Sequence, residues 1–263
     1  MRWIVCIKQV PGTINVQVDR QTNNLVREGI PGIINPFDLN ALEAALELRD
    51  NYGGRVTAVT MGPPQAIESL RDALAMGADE AVLLCDQKFR GADTLATSYT
   101  LAEAIKRLAP YRLIICGKQA IDGDTAQVGP EIAEWLGLPQ LTGLSRIELN
   151  GETLIGQKDG ENGFDRMEVE LPALVTVDRL NEPRIPSVDG RLRANRSAIT
   201  VWTARDLGLA CERIGLEGSP TRVVKVFQPD HTRLGKVRTG SPEELSKWLI
   251  ESLIDRGFIN NES

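Results

Sequence analysis

Short apolar runs alternate with longer amphipathic segments over the first 140 residues. Runs at residues 3–7, 55–60, 81–85 and 113–116 have the length and composition of strands that are buried in a parallel sheet. The segments between them are long enough to be helices that cross from one strand to the next. The sequence therefore predicts a doubly wound, mainly parallel α/β sheet, and ligands of such sheets bind at the carboxyl ends of the strands.

Capping residues mark the boundaries of the intervening helices. Asp38 and Asp93 have side chains that suit an N-cap, Pro64 suits the first turn of a helix, and another helix is expected to start at Pro130. A glycine follows the first, second and fourth helical segments, where a C-terminal cap is expected. These signals predict four helices that cover the two faces of the sheet.

The pattern changes after residue 140. Residues 145–149 and 153–157 flank Asn150-Gly151, which predicts a β-hairpin with a type I′ turn. A polar hairpin is also predicted at residues 16–25. Residues 180–240 show little periodicity and are rich in Arg, Pro and Gly, which is typical of irregular structure.

The last amphipathic helix is predicted to begin at Pro242, because Ser241 and Glu244 have the spacing of a capping box. An isolated amphipathic helix packs either on a partner or back on its own domain, and the pattern leaves both open. Its apolar face consists of Leu245, Trp248, Leu249 and Leu253.

The length of 263 residues corresponds to one large domain with appendages. We expect a nucleotide-binding α/β domain at residues 1–190, including a β extension from about residue 141. An irregular linker region at residues 191–240, to which the resemblance described below adds a docking role, and a partner-binding helical arm at residues 241–263 complete the predicted organisation.

Composition and charge exclude several classes of function. The net charge of −6 argues against a nucleic-acid-binding surface, which needs clustered cations. No run of 18 apolar residues and no signal peptide is found, so we expect a cytoplasmic protein without direct membrane insertion. Four cysteines without a C-x-x-C pair and one histidine, His231, argue against a metal site.

The loop at residues 117–129 is the strongest candidate for a ligand site. It follows a strand end and precedes a helix, so successive N–H groups and the helix dipole favour a phosphate. Asp122 and Asp124 are expected to face ribose hydroxyls or backbone amides, because they would repel phosphate. The alternative is a turn that carries only capping groups. The usual phosphate loops, G-x-G-x-x-G and Walker A, are absent.

Eight segments extend from about residue 4 to residue 186: CIKQVPG, INPFDLNALEAAL, VTMGPPQA, ALAMGADEAVLL, GADTLATSYTLA, GKQAIDGDTAQVGP, LPALVTV and LNEPRIP. In this order along the chain, they resemble the β subunits of electron transfer flavoproteins.

The resemblance implies a sheet of the adenine-nucleotide-binding type in a heterodimer with an α subunit. It also implies that the β subunit binds either structural AMP or, in bifurcating members, an FAD that accepts hydride from NADH. The small residues of the loop at residues 117–129 favour FAD. An acyl-CoA dehydrogenase or another flavoprotein would accept the electrons at a docking loop, residues 185–196. A stand-alone adenine-nucleotide-binding module and an adenylating enzyme are the alternatives. A stand-alone module would leave the β-rich second half of the chain unexplained. An adenylating enzyme needs a phosphate loop after the first strand, where this chain has KQVPG.

The candidate site residues fall into two groups. The partner-docking group consists of Arg184, Val188, Arg191 and Arg193. The cofactor-binding group follows the strand ends and the helix starts: Lys8, Val10, Asn35, Asp38, Thr60, Met61, Gly62, Asp93, Thr94, Thr97, Gly117, Lys118, Gln119, Asp122, Gly123, Asp124, Thr125, Ala126, Gln127, Val128 and Gly129.

Overall fold

The computed structural model describes residues 1–12, 32–179, 182–224, 235 and 237–259. The hairpin predicted at residues 16–25 lies outside the described residues. The chain divides into two units, Met1–Val226 and Phe227–Ser263, and each is described by itself.

The first half of the first unit alternates strands and helices, as its apolar pattern predicts. In chain order, its elements are β1 (Arg2–Cys6), β2 (Gln9–Pro11), β3 (Gly32–Ile34), α1 (Pro36–Tyr52), β4 (Arg55–Met61), α2 (Ile67–Met76), β5 (Glu80–Leu84), α3 (Thr94–Arg107), β6 (Leu113–Gly117) and α4 (Val128–Leu136).

The second half of this unit is richer in strands. Its elements are β7 (Gln140–Leu144), β8 (Arg146–Asn150), β9 (Thr153–Gly160), β10 (Gly163–Glu170), β11 (Ala173–Val177), α5 (Val188–Arg196), β12 (Thr200–Trp202) and α6 (Ala204–Leu207).

One seven-stranded sheet in the order β12-β5-β4-β1-β6-β11-β7 forms the centre of the unit, and all its pairings are parallel. Ile4 of β1 is in register with Thr57 of β4 on one side and with Ile114 of β6 on the other. The chain builds outward from β1 through β4 to β5 and then returns to place β6 on the other side. The carboxyl ends of β1 and β6 are therefore a topological switch point, where open α/β sheets bind ligands.

Alternate side chains of the strands enter two apolar cores. Trp3 and Val5 pack with α1 and α2 on one face, whereas Ile4 packs with α3 and α4 on the other. Each fully buried aliphatic side chain contributes about 2 kcal/mol. Because both faces are covered, the central strands are mainly apolar, and the predicted parallel α/β sheet is confirmed.

Two local predictions differ from the structure. Helix α4 begins at Val128, so Pro130 lies inside its first turn rather than at its start. The predicted hairpin is formed by β8 and β9, but Asn150 is in register with Thr153, which leaves Gly151 and Glu152 at the turn. Of these two turn residues only Gly151 has positive φ, so the type I′ prediction was wrong.

Residues 182–224 contain regular elements that the sequence pattern did not reveal. Helix α5 begins at Val188, and β12 extends the main sheet by pairing with β5, with Thr200 in register with Val82. These elements are three to nine residues long. So few residues do not establish a period, and their conformation depends on tertiary contacts.

The second unit contains α7 (Pro242–Asp255), whose capping box between Ser241 and Glu244 is confirmed. The guanidinium of Arg238 lies 5.7 Å from the ring centroid of Trp248, within the range of a cation–π contact. No residue of α7 is buried, and Leu249 and Ile250 are each half exposed. None of the helices in the described residues combines the length and the hydropathy of a membrane-crossing segment.

Candidate functional site

Asp38, in the first turn of α1, joins the carboxyl ends of the two strands at the switch point. Its Oδ2 accepts a hydrogen bond of 2.8 Å from the backbone N–H of Lys8, directly after β1. Its Oδ1 accepts one of 3.2 Å from the backbone N–H of Gly117, at the end of β6. The carboxylate therefore connects two segments that are 109 residues apart in the chain.

The environment of Asp38 changes its ionisation. Burial raises the pKa of this carboxyl to about 7, and hydrogen bonds from Asn35, Lys8 and Gly117 offset part of the increase. A group that titrates near neutral pH thus lies at the edge of the sheet where a ligand is expected.

The N-cap of α1 is Asn35, so the prediction that Asp38 caps this helix was wrong. Pro36 takes the first helical position, which moves the start of the helix ahead of Asp38. The side chain of Asn35 makes no capping bond and instead contacts the loop at residues 117–129. Its Nδ2 donates to the carbonyl oxygen of Gln119 over 2.8 Å, and its Oδ1 accepts from the N–H of Ile121 over 3.1 Å.

The loop turns sharply before α4. Asp124 and Ala126 have φ values of 53° and 55°, a left-handed conformation that non-glycine residues rarely adopt. Among the described residues, no acceptor is found for the N–H groups of Thr125, Ala126 and Gln127. Three consecutive unpaired donors at a helix N-terminus form a site that favours an anion.

Side chains of the loop are paired with one another and with the strand ends. Lys8 lies 2.6 Å from Asp122, and Lys118 lies 2.8 Å from Asp178. The two lysines are nearly half exposed, and such ion pairs contribute little stability, so a bound anion can compete for the ammonium groups. The amide of Gln119 donates to the carboxylate of Asp124.

Helix α3 brings a second helix N-terminus to the loop. Asp93 caps it by accepting from the N–H of Ala96, as predicted. The hydroxyl of Thr94 lies 3.1 Å from the side-chain oxygen of Gln127 and 3.2 Å from that of Glu131, so α3 and α4 are linked there. Thr97 lies in the same first turn and is partly buried.

The end of β4 offers fewer free groups than expected. The N–H of Gly62 donates to the carbonyl oxygen of Leu84, so that amide is unavailable to a ligand. Met61 is the last residue of β4 and is partly exposed. Thr60 is fully buried, and its hydroxyl has no hydrogen-bond partner among the described residues. The side chain of Val10, in β2, is buried as well.

The two glycines that were expected to admit a ligand differ in their surroundings. A Cβ on Gly129 would lie 2.5 Å from the Cγ2 of Thr176, so Gly129 allows α4 to pack on β11. A Cβ on Gly123 would have nothing within 4 Å, so this residue faces open space. Val128 is the first residue of α4.

The docking segment expected at residues 185–196 is largely helical. Val188 begins α5 and is 76% exposed. Arg191, in the middle of the helix, lies 3.8 Å from Asp72 of α2, and Arg193 is exposed. An exposed apolar residue with arginines beside it is typical of a protein contact surface.

Arg184 differs from the other docking candidates because it is bound to α1. Its guanidinium lies 2.8 Å from Glu43 and 2.9 Å from Asp50, and its backbone N–H donates to Glu43 over 2.8 Å. These contacts raise the pKa of Arg184, the hydrogen bond to Glu43 being the largest cause. Sequence reasoning missed Glu43, although a carboxylate among the apolar positions of α1 is a signal that could have identified it.

Two further features bear on the chemistry. A polar cavity of about 700 Å³ lies between α1 and the β8–β9 hairpin, and Glu47, Tyr52 and Arg146 are among its lining residues. No residue of the loop at residues 117–129 lines it. The described residues contain no group of three or more side chains that could hold a metal ion.

Comparisons with known proteins show full-length relatives. The electron transfer flavoprotein domain model matches residues 22–207. "Electron transfer flavoprotein subunit beta" of Clostridium acetobutylicum is 48% identical, and the match covers 98% of this chain and 100% of the relative. "Caffeyl-CoA reductase-Etf complex subunit CarD" of Acetobacterium woodii is 47% identical, with coverage of 98% and 100%. "Protein FixA" of Bradyrhizobium diazoefficiens is 46% identical, with coverage of 99% and 92%.

Proposed function

This chain belongs to the electron transfer flavoprotein beta-subunit family, and from that premise we propose that it binds FAD at the carboxyl edge of its parallel sheet. In this proposal the chain works in a heterodimer with an alpha subunit. It passes electrons through the flavin of that subunit to an acyl-CoA dehydrogenase or a related flavoprotein.

The observation that carries the proposal is the row of unpaired N–H groups at Thr125, Ala126 and Gln127. The negative charge of a pyrophosphate suits these donors and the positive end of the α4 dipole. The nearby ammonium groups of Lys8 and Lys118 and the hydroxyl of Thr94 would add charge and donors. Hydrogen bonds to a charged phosphate are worth about 1.5–3 kcal/mol each.

The size of the loop residues favours FAD over AMP. Gly123 faces open space, and Thr125 and Ala126 have small side chains that do not obstruct the donors. A pyrophosphate can therefore continue past the point at which AMP ends. Bound FAD would supply the redox chemistry, by accepting hydride from NADH and releasing electrons to the next flavin, whereas this chain binds and orients it.

Two surfaces would serve the partners. The exposed apolar residues of α7 suit the alpha subunit, because burying them removes apolar area from water. The exposed start of α5, with Ile185 and Val188, suits the electron acceptor. The printed name of the Acetobacterium woodii relative places that protein in a complex with a CoA-ester reductase, which supports an acceptor of this class.

Cofactor stoichiometry tests the proposal. The chain is co-expressed with its alpha subunit, and the nucleotides are extracted from the purified heterodimer and quantified. We expect two FAD and no AMP per heterodimer, with NADH bleaching one flavin. One FAD and one AMP, without a response to NADH, would contradict FAD binding in this subunit.

A matched pair of variants tests the location of the site. Ala126→Asp places a negative charge beside the unpaired N–H groups, whereas Ala126→Asn has nearly the same shape without the charge. Both residues tolerate the left-handed conformation that is present at this position. We expect the aspartate variant to lose its nucleotide and the asparagine variant to keep it. Equal retention by the two variants would place the phosphates elsewhere.

A further inference from the structure

The structure contains a polar contact between the start of α1 and the loop that carries the unpaired N–H groups. We propose that Asn35 and Asp38 form a clamp that positions the loop at residues 117–129 for the nucleotide, and that this clamp holds the loop fully only when Asp38 is ionised. The inference rests on the proposed function for its ligand. In this inference Asn35 and Asp38 are positioning residues, because their side chains bond to the backbone of the strand ends and of the loop.

The first half of the clamp is the carboxylate of Asp38. It accepts one N–H from the end of β1 and one from the end of β6, over 2.8 Å and 3.2 Å. A buried N–H without an acceptor is unfavourable, so each strand end depends on this carboxylate. The bond to Gly117 determines where the loop leaves the sheet.

The second half of the clamp is the amide of Asn35, which is fully buried. It donates to the carbonyl oxygen of Gln119 and accepts from the N–H of Ile121. Both bonds are to backbone atoms, so they orient the chain itself and not a side chain. Asp38 thus holds the start of the loop at Gly117, and Asn35 orients the loop two and four residues later, at Gln119 and Ile121.

Gly117, at the end of β6, packs closely against the first turn of α1. A Cβ on Gly117 would lie 2.2 Å from Oδ1 of Asp38 and 2.7 Å from the carbonyl carbon of Phe37. The end of β6 is therefore in direct contact with the first turn of α1. The clamp also positions Lys8, whose backbone N–H is held by Asp38 and whose ammonium group lies 2.6 Å from Asp122 of the loop.

The charge of Asp38 determines how many N–H groups it can accept. An ionised carboxylate accepts both, whereas a protonated carboxyl has one hydroxyl in place of an acceptor oxygen. The titratable groups on the adjoining segments include two ammonium groups, three carboxylates and two thiols: Lys8, Lys118, Asp122, Asp124, Asp178, Cys6 and Cys116. Of these, Lys8 favours the ionised form, but burial outweighs it and raises the pKa of Asp38 to about 7. Acidification from pH 8 to pH 6 should therefore weaken the clamp.

Ionisation of Asp38 strengthens the clamp but lowers the stability of the fold. The pKa of Asp38 is raised on folding, from 3.8 to about 7, so the folded state binds the proton more tightly than the unfolded state. Its contribution to stability is fully present below about pH 4 and is lost as the pH rises through 7. The ionised clamp thus favours nucleotide binding at a pH where it makes the fold less stable.

The experiment measures nucleotide affinity and loop exchange in the heterodimer. The protein is stripped of nucleotide and titrated with FAD, and separately with AMP, at pH 6, 7 and 8, and the binding step that Ala126→Asp abolishes is assigned to this subunit. We expect wild-type affinity to fall up to about tenfold from pH 8 to pH 6, the limit for one group that titrates near 7. We expect Asp38→Asn to bind at least tenfold more weakly at pH 8 and without this pH dependence. Asp72→Asn, which removes another carboxyl whose pKa burial raises, should retain the wild-type profile.

Hydrogen exchange separates failure of the clamp from failure of the proposed ligand. In the nucleotide-free heterodimer, amides of residues 117–123 should exchange faster in Asp38→Asn and in Asn35→Asp than in the wild type. Faster exchange without any binding of FAD or AMP by the wild type would refute the proposed ligand, whereas the clamp itself would stand. Unchanged loop exchange, or an affinity of wild-type protein that does not vary between pH 6 and pH 8, would overturn the inference. The wild-type profile with FAD decides the matter even if a variant does not fold, because the pyrophosphate of FAD does not titrate between pH 6 and pH 8, whereas the phosphate of AMP does.

Discussion

Replacing Gly117 with alanine tests whether the first turn of α1 and the end of β6 are packed as closely as the structure indicates. The new Cβ would lie 2.2 Å from Oδ1 of Asp38 and 2.7 Å from the carbonyl carbon of Phe37. The second contact is with backbone, so a change of side-chain rotamer cannot relieve it. Either the helix start or the strand end must move.

The magnitude follows from the cost of overpacking. An extra methyl group in a well-packed region typically costs about 1–3 kcal/mol. For a domain of this size, 1 kcal/mol shifts the melting temperature by about 2–4 °C. We therefore expect Gly117→Ala to melt roughly 2–12 °C below the wild type. It should also bind nucleotide more weakly, because Asp38 loses its contact with the loop.

Gly123→Ala is the matched control in the same loop. No atom lies within 4 Å of its added Cβ, so we expect a melting temperature within about 2 °C of the wild type. Thermal unfolding of the heterodimer, followed by circular dichroism with and without FAD, compares the three proteins. Equal melting temperatures for Gly117→Ala and Gly123→Ala would refute the close contact between α1 and β6.

Three further predictions concern the docking segment and the C-terminal helix. Arg184→Ala leaves the buried carboxylate of Glu43 without its guanidinium partner, so chemical denaturation should show a free energy of unfolding lower by about 3 kcal/mol. Arg184→Lys should lose less, and wild-type stability of the alanine variant would contradict this. Val188→Ala should slow reduction of the acceptor dehydrogenase in a stopped-flow assay without loss of flavin, whereas loss of flavin would mean that the segment is structural. Deleting residues from 240 onward should weaken binding of the alpha subunit in a calorimetric titration, and an unchanged Kd would exclude α7 from that interface.

Much of the nucleotide-binding half could be predicted from the sequence, because its elements are long and periodic. Buried parallel strands appear as apolar runs, and the helices between them have recognisable caps, as Asp93 shows for α3. The family was recognisable for a related reason: motifs such as GKQAIDGDTAQVGP lie in the loops at the strand ends, where ligands of such sheets bind. The comparisons confirm that resemblance over nearly the full chain.

The roles of individual polar residues were less predictable. Arg184 was expected to face a partner, but Glu43 and Asp50, which are 141 and 134 residues away in the chain, bind it. Asp38 was expected to cap a helix, and instead it accepts hydrogen bonds from two strand ends. The local sequence can single out an unusual residue such as Glu43, but it does not say which distant residue pairs with it, because the partners come together only when α1 packs on the sheet.

Elements with a local signal can thus be read from the chain alone: the strands, the long helices, their caps and the family motifs. Periodicity and capping depend on residues that are a few positions apart, so a single sequence contains that information. The unpaired donors, the carboxyl whose pKa is near 7 and the place of β12 in the sheet became known from the folded structure. Burial and hydrogen bonding between distant segments arise when the chain folds, and these are the interactions that build the candidate site.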